Sequence, residues 1–259
     1  SELVISEAND HSLYQQFHDL GLHGLIKQFQ ITSNEEATKR EVNYETVMTK
    51  SQLDDLIEVI LSSDVVAIDT ETTSLNYIDA ALVGISVSTK ANQGFYIPLM
   101  YNYEDAPKQL DREYVLGKLQ PWLEDNDSIK VGHNLKYDRH IFATYSISLR
   151  GHIFDNMVIS YVYNSTATRH NLDAVSKRYL NISPTRYEDV AGKGAKQIPF
   201  NEVKVEEASY YAAEDADISF QLYEKLSPLV KDQSELIDLY LNIEQSLIEV
   251  LGDIERTGV

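Results

Sequence analysis

From about residue 43 onward, polar and apolar positions follow two rhythms: short β-branched runs first, then helical stripes. Tyr44 to Thr49 reads as a strand, and so does Val65-Val66-Ala67-Ile68 running into Asp69. Two more strands are predicted at 81–88 (Ala-Leu-Val-Gly-Ile-Ser-Val-Ser) and 94–99 (Gly-Phe-Tyr-Ile-Pro-Leu). Short connections among 65–69, 81–88 and 94–99 predict antiparallel pairing. Ser51, with Asp54 three positions on, resembles a capping box and opens a helix with Leu53, Leu56, Ile57 and Ile60 on its apolar face. From Arg112 the pattern turns helical, with Pro121 marking a break or a new start. Lys130 to His133 is a short strand leading into a helix over about 135–145, and further helices are predicted near 155–164, 171–180, 205–230 and 235–256. Strands first and helices afterwards, with a strand still interspersed, predict an α/β domain built on a mixed central sheet flanked by helices.

Ahead of this, 11–28 has the spacing of one amphipathic helix and Ile31 to Arg40 is polar without periodicity. Residues 1–42 therefore read as a linker or a tail from a preceding domain. Residues 43–233 read as one domain, with 234–259 as a helix extending from it.

Three stretches carry candidate chemistry. In Val65 to Leu75, Asp69 and Glu71 are two apart, so a strand presents both carboxylates on one side. Such a pair repels itself unless a cation lies between the acids or one takes a proton. In Val131-Gly132-His133-Asn134-Leu135-Lys136-Tyr137-Asp138-Arg139, Asn134 and Asp138 share a helix face, and Asn134 is placed to cap that helix. In Tyr210 to Asp217, Tyr211 and Asp215 are again four apart, with Ala212 and Ala213 allowing close approach of another element; Asp217 falls on a different side. Taken singly, these stretches read as a surface turn, a helix cap, an ion pair of Asp138 with Arg139 or Lys136, and a half-buried core tyrosine.

Composition narrows the chemistry. Among 259 residues there is no cysteine, which excludes disulfides, thiolate zinc and cysteine nucleophiles. No apolar run reaches membrane-span length and no secretory signal is visible, so no membrane partner and a cytoplasmic location are expected. The net charge of −19 argues against a polyanion partner, but Lys130 to Phe200 holds ten basic and five acidic residues. One basic block in an acidic chain offers a local surface for a polyanion. Gly192-Lys193-Gly194-Ala195-Lys196 lacks P-loop spacing, and the seven histidines show no paired metal spacing.

In combination, D-x-E after a strand, N-x-x-x-D opening one helix and Y-x-x-x-D in another resemble the DEDD family of 3′–5′ exonucleases, in its tyrosine branch. Asp69-Thr70-Glu71-Thr72 with Ser74-Leu75, Asn134 to Asp138, Gly192-Lys193-Gly194, Tyr211 to Asp217 and Ile254-Glu255-Arg256-Thr257-Gly258-Val259 are similar to the proofreading domains of bacterial DNA polymerase I. The resemblance covers roughly residues 43–259. It implies an RNase H-like exonuclease fold and metal-dependent release of nucleoside 5′-monophosphates from a single-stranded or frayed 3′ end of DNA. It also implies two divalent cations, Mg²⁺ with Mn²⁺ able to substitute, which suits carboxylate ligands without His or Cys. By the same resemblance Asp69 bridges both ions, Glu71 and Asp215 serve the nucleophile side, and Asp138 holds the second ion through water. Tyr211 orients water rather than acting as a base, since a phenol titrates near about 10. Leu75 and Tyr187 flank the terminal base, the family more often having phenylalanine at the second position. Asn134, Lys136, Tyr137 and Arg169 contact phosphate or sugar. His133 stands where glutamine is common, and its role is left open. The 234–259 helix leads towards a polymerase domain of the same parent chain, absent here, and a monomer is expected. Two other readings are an RNA 3′ trimming exonuclease, poorly fitted by the Gly-Lys-Gly region and the 254–259 ending, and a catalytically silent DNA-binding scaffold, disfavoured because all four acids are present.

Overall fold

The computed structural model describes residues 40–258 together with Leu13, Gln16, Phe17, Leu22, Gly24 and Leu25; the helix expected over 11–28 otherwise lies outside the described residues. The chain divides into two units, Ser1–Glu41 and Val42–Val259, and every element named below belongs to the second. In chain order these are β1 (Asn43–Thr46), α1 (Lys50–Leu61), β2 (Val65–Thr72), β3 (Leu82–Ser88), β4 (Gln93–Pro98), α2 (Arg112–Leu123), β5 (Ile129–Gly132), α3 (Leu135–Thr144) and β6 (His152–Asp155). There follow α4 (Asn156–Tyr163), α5 (Leu172–Leu180), α6 (Tyr187–Ala191), α7 (Val205–Lys231), α8 (Ser234–Leu239), a π-helical turn at Tyr240–Glu244 and α9 (Gln245–Thr257).

The strands form one mixed sheet in the order β1-β4-β3-β2-β5-β6. β2, β3 and β4 pair antiparallel, as their short connections predict. β5 lies parallel to both β2 and β6, and β1 lies parallel to β4. The alternation along β2 assigns its two faces. Val66 and Ile68 pack with Leu53, Leu56, Ile141 and Phe142 from α1 and α3, whereas Ala67 joins Val131 and Phe154 under α7. On α7, Ile218, Leu222 and Leu226 are fully buried, each contributing about 1.5–3 kcal/mol by burial.

α7 lies unusually close to the sheet. A Cβ on Gly94 of β4 would come within 2.4 Å of the Ala213 carbonyl oxygen, so glycine on the strand and alanine on the helix are what allow the contact. Three hydrogen bonds fix the helix's register: Tyr44 Oη and the Asn92 N–H both donate to the Asp217 carboxylate at 2.7 Å, and Thr46 is hydrogen-bonded to Ser209.

Several details differ from the sequence reading. The cap of α1 is Thr49, not Ser51: its backbone is extended, the Gln52 N–H donates to its hydroxyl (3.3 Å), and the Thr49 N–H donates to Gln52 Oε1 (3.0 Å). Pro121 does not break α2, because it sits in the last turn, where one backbone bond is forfeited and the Glu124 N–H still closes onto Gln120 (2.9 Å). β2 continues past Asp69 to Thr72, held by β3 through the Asp69↔Ser86 and Glu71↔Gly84 pairs, with a register shift after Glu71. The short elements β6 and α6 had no distinct pattern, and the 235–256 helix is interrupted by its π turn.

Two glycines make opposite predictions. Gly94→Ala should lower unfolding stability by about 1–3 kcal/mol through overpacking against α7. Gly117→Ala, on an exposed face of α2 with nothing within 4 Å of the added carbon, should raise it by about 0.5–1 kcal/mol. Denaturant titration reads both, and equal effects would contradict the close approach of α7.

Candidate active site

Asp69 and Glu71 lie on the face of β2 that looks toward α7, continuing the line of Ala67. Asp215 comes from α7, and one carboxylate oxygen from each of Asp69, Glu71 and Asp215 lies within 4.8 Å of the others. Asp138 reaches the same corner from α3, on the other side of the sheet. Thr70, between the two strand acids, points to that side and donates its hydroxyl to Asp138 Oδ1 at 2.6 Å. The strand thus holds two acids on one face and, through Thr70, a third on the other.

Three of the four acids are buried, Asp138 being 2% exposed, Glu71 7% and Asp215 9%, while Asp69 is partly exposed. Burial is the largest influence on each acid and pushes all four well above the ordinary carboxylate range. Their mutual charge adds to it. Asp215 raises Asp69; Asp69, Asp215 and Asp138 raise Glu71; Asp69 and Asp155 raise Asp138. The hydrogen bond from Thr70 to Asp138 and the phenol of Tyr211 near Asp215 oppose the shift without cancelling it. Among the described residues, no lysine or arginine is ion-paired to any of the four. A cluster of hard oxygen donors without a basic partner, nitrogen or sulfur ligand has the chemistry of a site for Mg²⁺, Mn²⁺ or Ca²⁺, and these residues fit such an ion.

Tyr211 is half-buried, and the charge of Asp215 acts on its phenol. Burial first, then the charges of Asp215, Glu71 and Asp69, raise the phenol well above its usual value, so it stays protonated and serves as a donor. Its ring lies 6.3 Å from Tyr187, which stacks on Phe200 at 5.9 Å while remaining 37% exposed. Leu75, on the loop after β2, is 94% exposed. That loop is tied down by Tyr137, whose hydroxyl bonds Thr72 Oγ1 (2.6 Å) and the Ser74 carbonyl.

The other sequence candidates are placed less simply. Asn134 is the first residue of the α3 cap but is left-handed (φ 68°, ψ 44°), and its side chain caps nothing, contrary to expectation. The α3 start is held instead by Asp155, which accepts from the Asn134 N–H (3.1 Å) and the Leu135 N–H (2.8 Å). Asp138 pairs with neither Arg139 nor Lys136: Arg139 is bound to Glu249 (2.7 Å) and Lys136 to Glu255 (2.5 Å), both on α9. Arg169 is exposed and forms no ion pair or hydrogen bond with the acids; its carbonyl accepts from Arg178 (3.1 Å). Thr70 and Asp155 were not singled out from sequence. Thr70 carries no spacing signal, while an aspartate just ahead of a helix was a readable cap whose second partner, α3, was not.

Comparison with known proteins agrees with this geometry. A family described as 3′–5′ exonuclease matches residues 44–231. DNA polymerase I of Pseudomonas aeruginosa is 42% identical over 220 residues, covering 84% of this chain and 24% of its own length. The chain thus spans about a quarter of that relative. Brucella melitensis NrnC with bound Mg²⁺ is similar in structure, with a TM-score of 0.59 at 19% identity over 85% of this chain and 95% of that one. Escherichia coli RNase D, an exoribonuclease involved in structured RNA processing, gives a TM-score of 0.61 at 17% identity over 82% of this chain and 51% of that one. The structural likeness is one of fold, the RNase H-like exonuclease fold, while the sequence matches are specific: the chain belongs to the 3′–5′ exonuclease family, in the branch carried by DNA polymerase I.

Proposed function

We propose that the chain hydrolyses DNA from a single-stranded or frayed 3′ end to nucleoside 5′-monophosphates. Two divalent cations, Mg²⁺ with Mn²⁺ as a substitute, would be held by Asp69, Glu71, Asp215 and Asp138. The observation that carries the reading is the meeting of three carboxylate oxygens from β2 and α7 within 4.8 Å, with no basic partner among the described residues. The Mg²⁺ bound by NrnC and the identity to DNA polymerase I support the ion and the substrate. In this reading residues 43–233 are the exonuclease domain, 1–42 connect it to a preceding domain, and 234–259 lead towards the polymerase domain of a cytoplasmic, monomeric parent chain that uses this site for proofreading.

When bound, such a cation pair supplies a nucleophile at neutral pH and offsets charge at the leaving 3′ oxygen. The chain's own groups supply the rest. Asp69 would be common to both ions, Glu71 and Asp215 would serve the nucleophile side, and Asp138 would serve the leaving-group side. Tyr211, kept protonated beside Asp215, would orient the attacking water. The exposed faces of Leu75 and Tyr187 grip the terminal base by stacking, and Asn134, with its side chain free of a capping role, is available to phosphate or sugar. Lys136 contributes while sharing its charge with Glu255, Tyr137 acts by fixing the Leu75 loop, and Arg169 meets the strand further from the acids. RNA 3′ trimming is the second reading, because the fold is shared with RNase D, an exoribonuclease involved in structured RNA processing.

Asp215→Ala should abolish cleavage of 3′-labelled single-stranded DNA, a loss on the order of 10³-fold or more. Tyr211→Phe should lose only about tenfold, the worth of one orienting hydrogen bond. Full activity of Tyr211→Phe at every pH would contradict its role, and equal or faster cleavage of matched RNA would favour the second reading. The raised carboxylates also set a pH dependence without metal. A carboxylate with a raised folded-state pKa holds its proton where the unfolded chain has lost it, so stability falls as pH rises from the ordinary carboxylate range through the folded value. Asp215→Asn should therefore melt about 2–4 °C higher than the parent near neutral pH without metal, with the gap closing in acid. A lower melting temperature at neutral pH would contradict the unpaired-acid account.

A further inference from the structure

Asp155 ends β6, is 1% exposed, and its carboxylate accepts four backbone N–H groups. Oδ1 takes those of Asn134 (3.1 Å), Met157 (2.9 Å) and Val158 (3.3 Å), and Oδ2 takes that of Leu135 (2.8 Å). The bonds to Met157 and Val158 are an ordinary cap of its own helix, α4. Those to Asn134 and Leu135 belong to a different helix, α3, which lacks a cap of its own because Asn134 is left-handed and its side chain bonds no N–H. The register of β5 and β6 sets Gly132 opposite Asp155, which delivers the carboxylate to the residues that follow Gly132. Asp138 comes one turn later on α3, only about 4–6 Å along the axis. Asp155 is itself braced from the C-terminal run. Its N–H donates to the hydroxyl of the buried Tyr240 in the π turn (2.9 Å), which in turn donates to the Ile153 carbonyl (3.3 Å).

We propose that Asp155 is a positioning residue that sets α3 against β2, so that Asp138 stands where its cation binds, with Tyr240 as its brace. The inference rests on the two-cation reading above. Asp155 touches neither ion nor substrate in it; Asp155 acts through the first turn of α3. An asparagine in its place keeps one acceptor but turns an NH₂ group toward Leu135 alone or toward Asn134, Met157 and Val158, so in either orientation an N–H at the start of α3 loses its partner.

The test is calorimetric Mn²⁺ titration of the full chain as parent, Asp155→Asn, Tyr240→Phe and Asp138→Asn, with thermal melts alongside. The parent should bind two ions. Asp155→Asn should keep the tighter ion at parental affinity and weaken the other by about 10- to 100-fold, as Asp138→Asn does. Cleavage by Asp155→Asn should then recover at high Mn²⁺ with KM for single-stranded DNA unchanged. Tyr240→Phe, which leaves the carboxylate in place, should shift the same ion in the same direction by a few-fold and decides the matter should Asp155→Asn fail to fold. Parental affinity for both ions in a folded Asp155→Asn, or equal weakening of both, overturns the proposal, since a merely structural role loosens the two alike. A parent chain that binds no Mn²⁺, with Asp138→Asn equally silent, overturns the two-cation reading and this inference with it.

Discussion

Four carboxylates, three of them buried, share one corner where no basic side chain among the described residues is ion-paired to them, and the rest of the architecture is arranged around that imbalance. In water their repulsion is weak; withdrawn from solvent it is large, and each acid is driven toward its protonated form. Folding does not relieve the strain by pairing them. Lys136 and Arg139, the nearest cations in sequence to Asp138, are bound to α9 instead. Acids left without ion-pair partners in this way leave room for an external cation to neutralise them, which suits the proposed hydrolysis, since an anionic nucleophile has to approach an anionic phosphate.

The topology places those acids where two parallel strands, β2 and β5, end together, the crevice in which open α/β sheets tend to hold ligands. Helices from opposite faces then close on it. α7 is brought in by the Gly94–Ala213 approach and locked in register by Asp217, two residues from Asp215. α3 is set by Asp155 and by its ion pairs to α9. Misplacement by a single helical turn on either side would remove one acid from the group. The tight packing under α7 and the buried hydrogen bonds of Asp155 make such slips costly.

Much of this was legible from residue order alone. The short apolar, β-branched runs gave β2, β3 and β4, the four-residue spacings gave the faces of α3 and α7, and the alanines at 212 and 213 signalled a close approach by another element, which is β4. Local signals failed where the deciding partner was distant in the chain. Asn134 reads as a cap, but its backbone is left-handed and a carboxylate 21 residues later does the capping. Pro121 reads as a break, yet at the end of a helix it removes only one bond. Lys136 and Tyr137, candidates for phosphate or sugar contacts, also serve the fold, through Glu255 and through the 72–74 loop. β6, four residues long with an exposed first position, carries too few side chains for any periodicity to register.

The central claim, that these acids together hold divalent cations in place of the protons that burial imposes on them, is tested most directly by proton release on Mn²⁺ binding. Calorimetric titrations at neutral pH in buffers of different ionisation enthalpy measure it. The account predicts that binding expels protons and that Asp69→Ala abolishes both the binding and the release. Tight binding without proton release, or binding undiminished in Asp69→Ala, would contradict it.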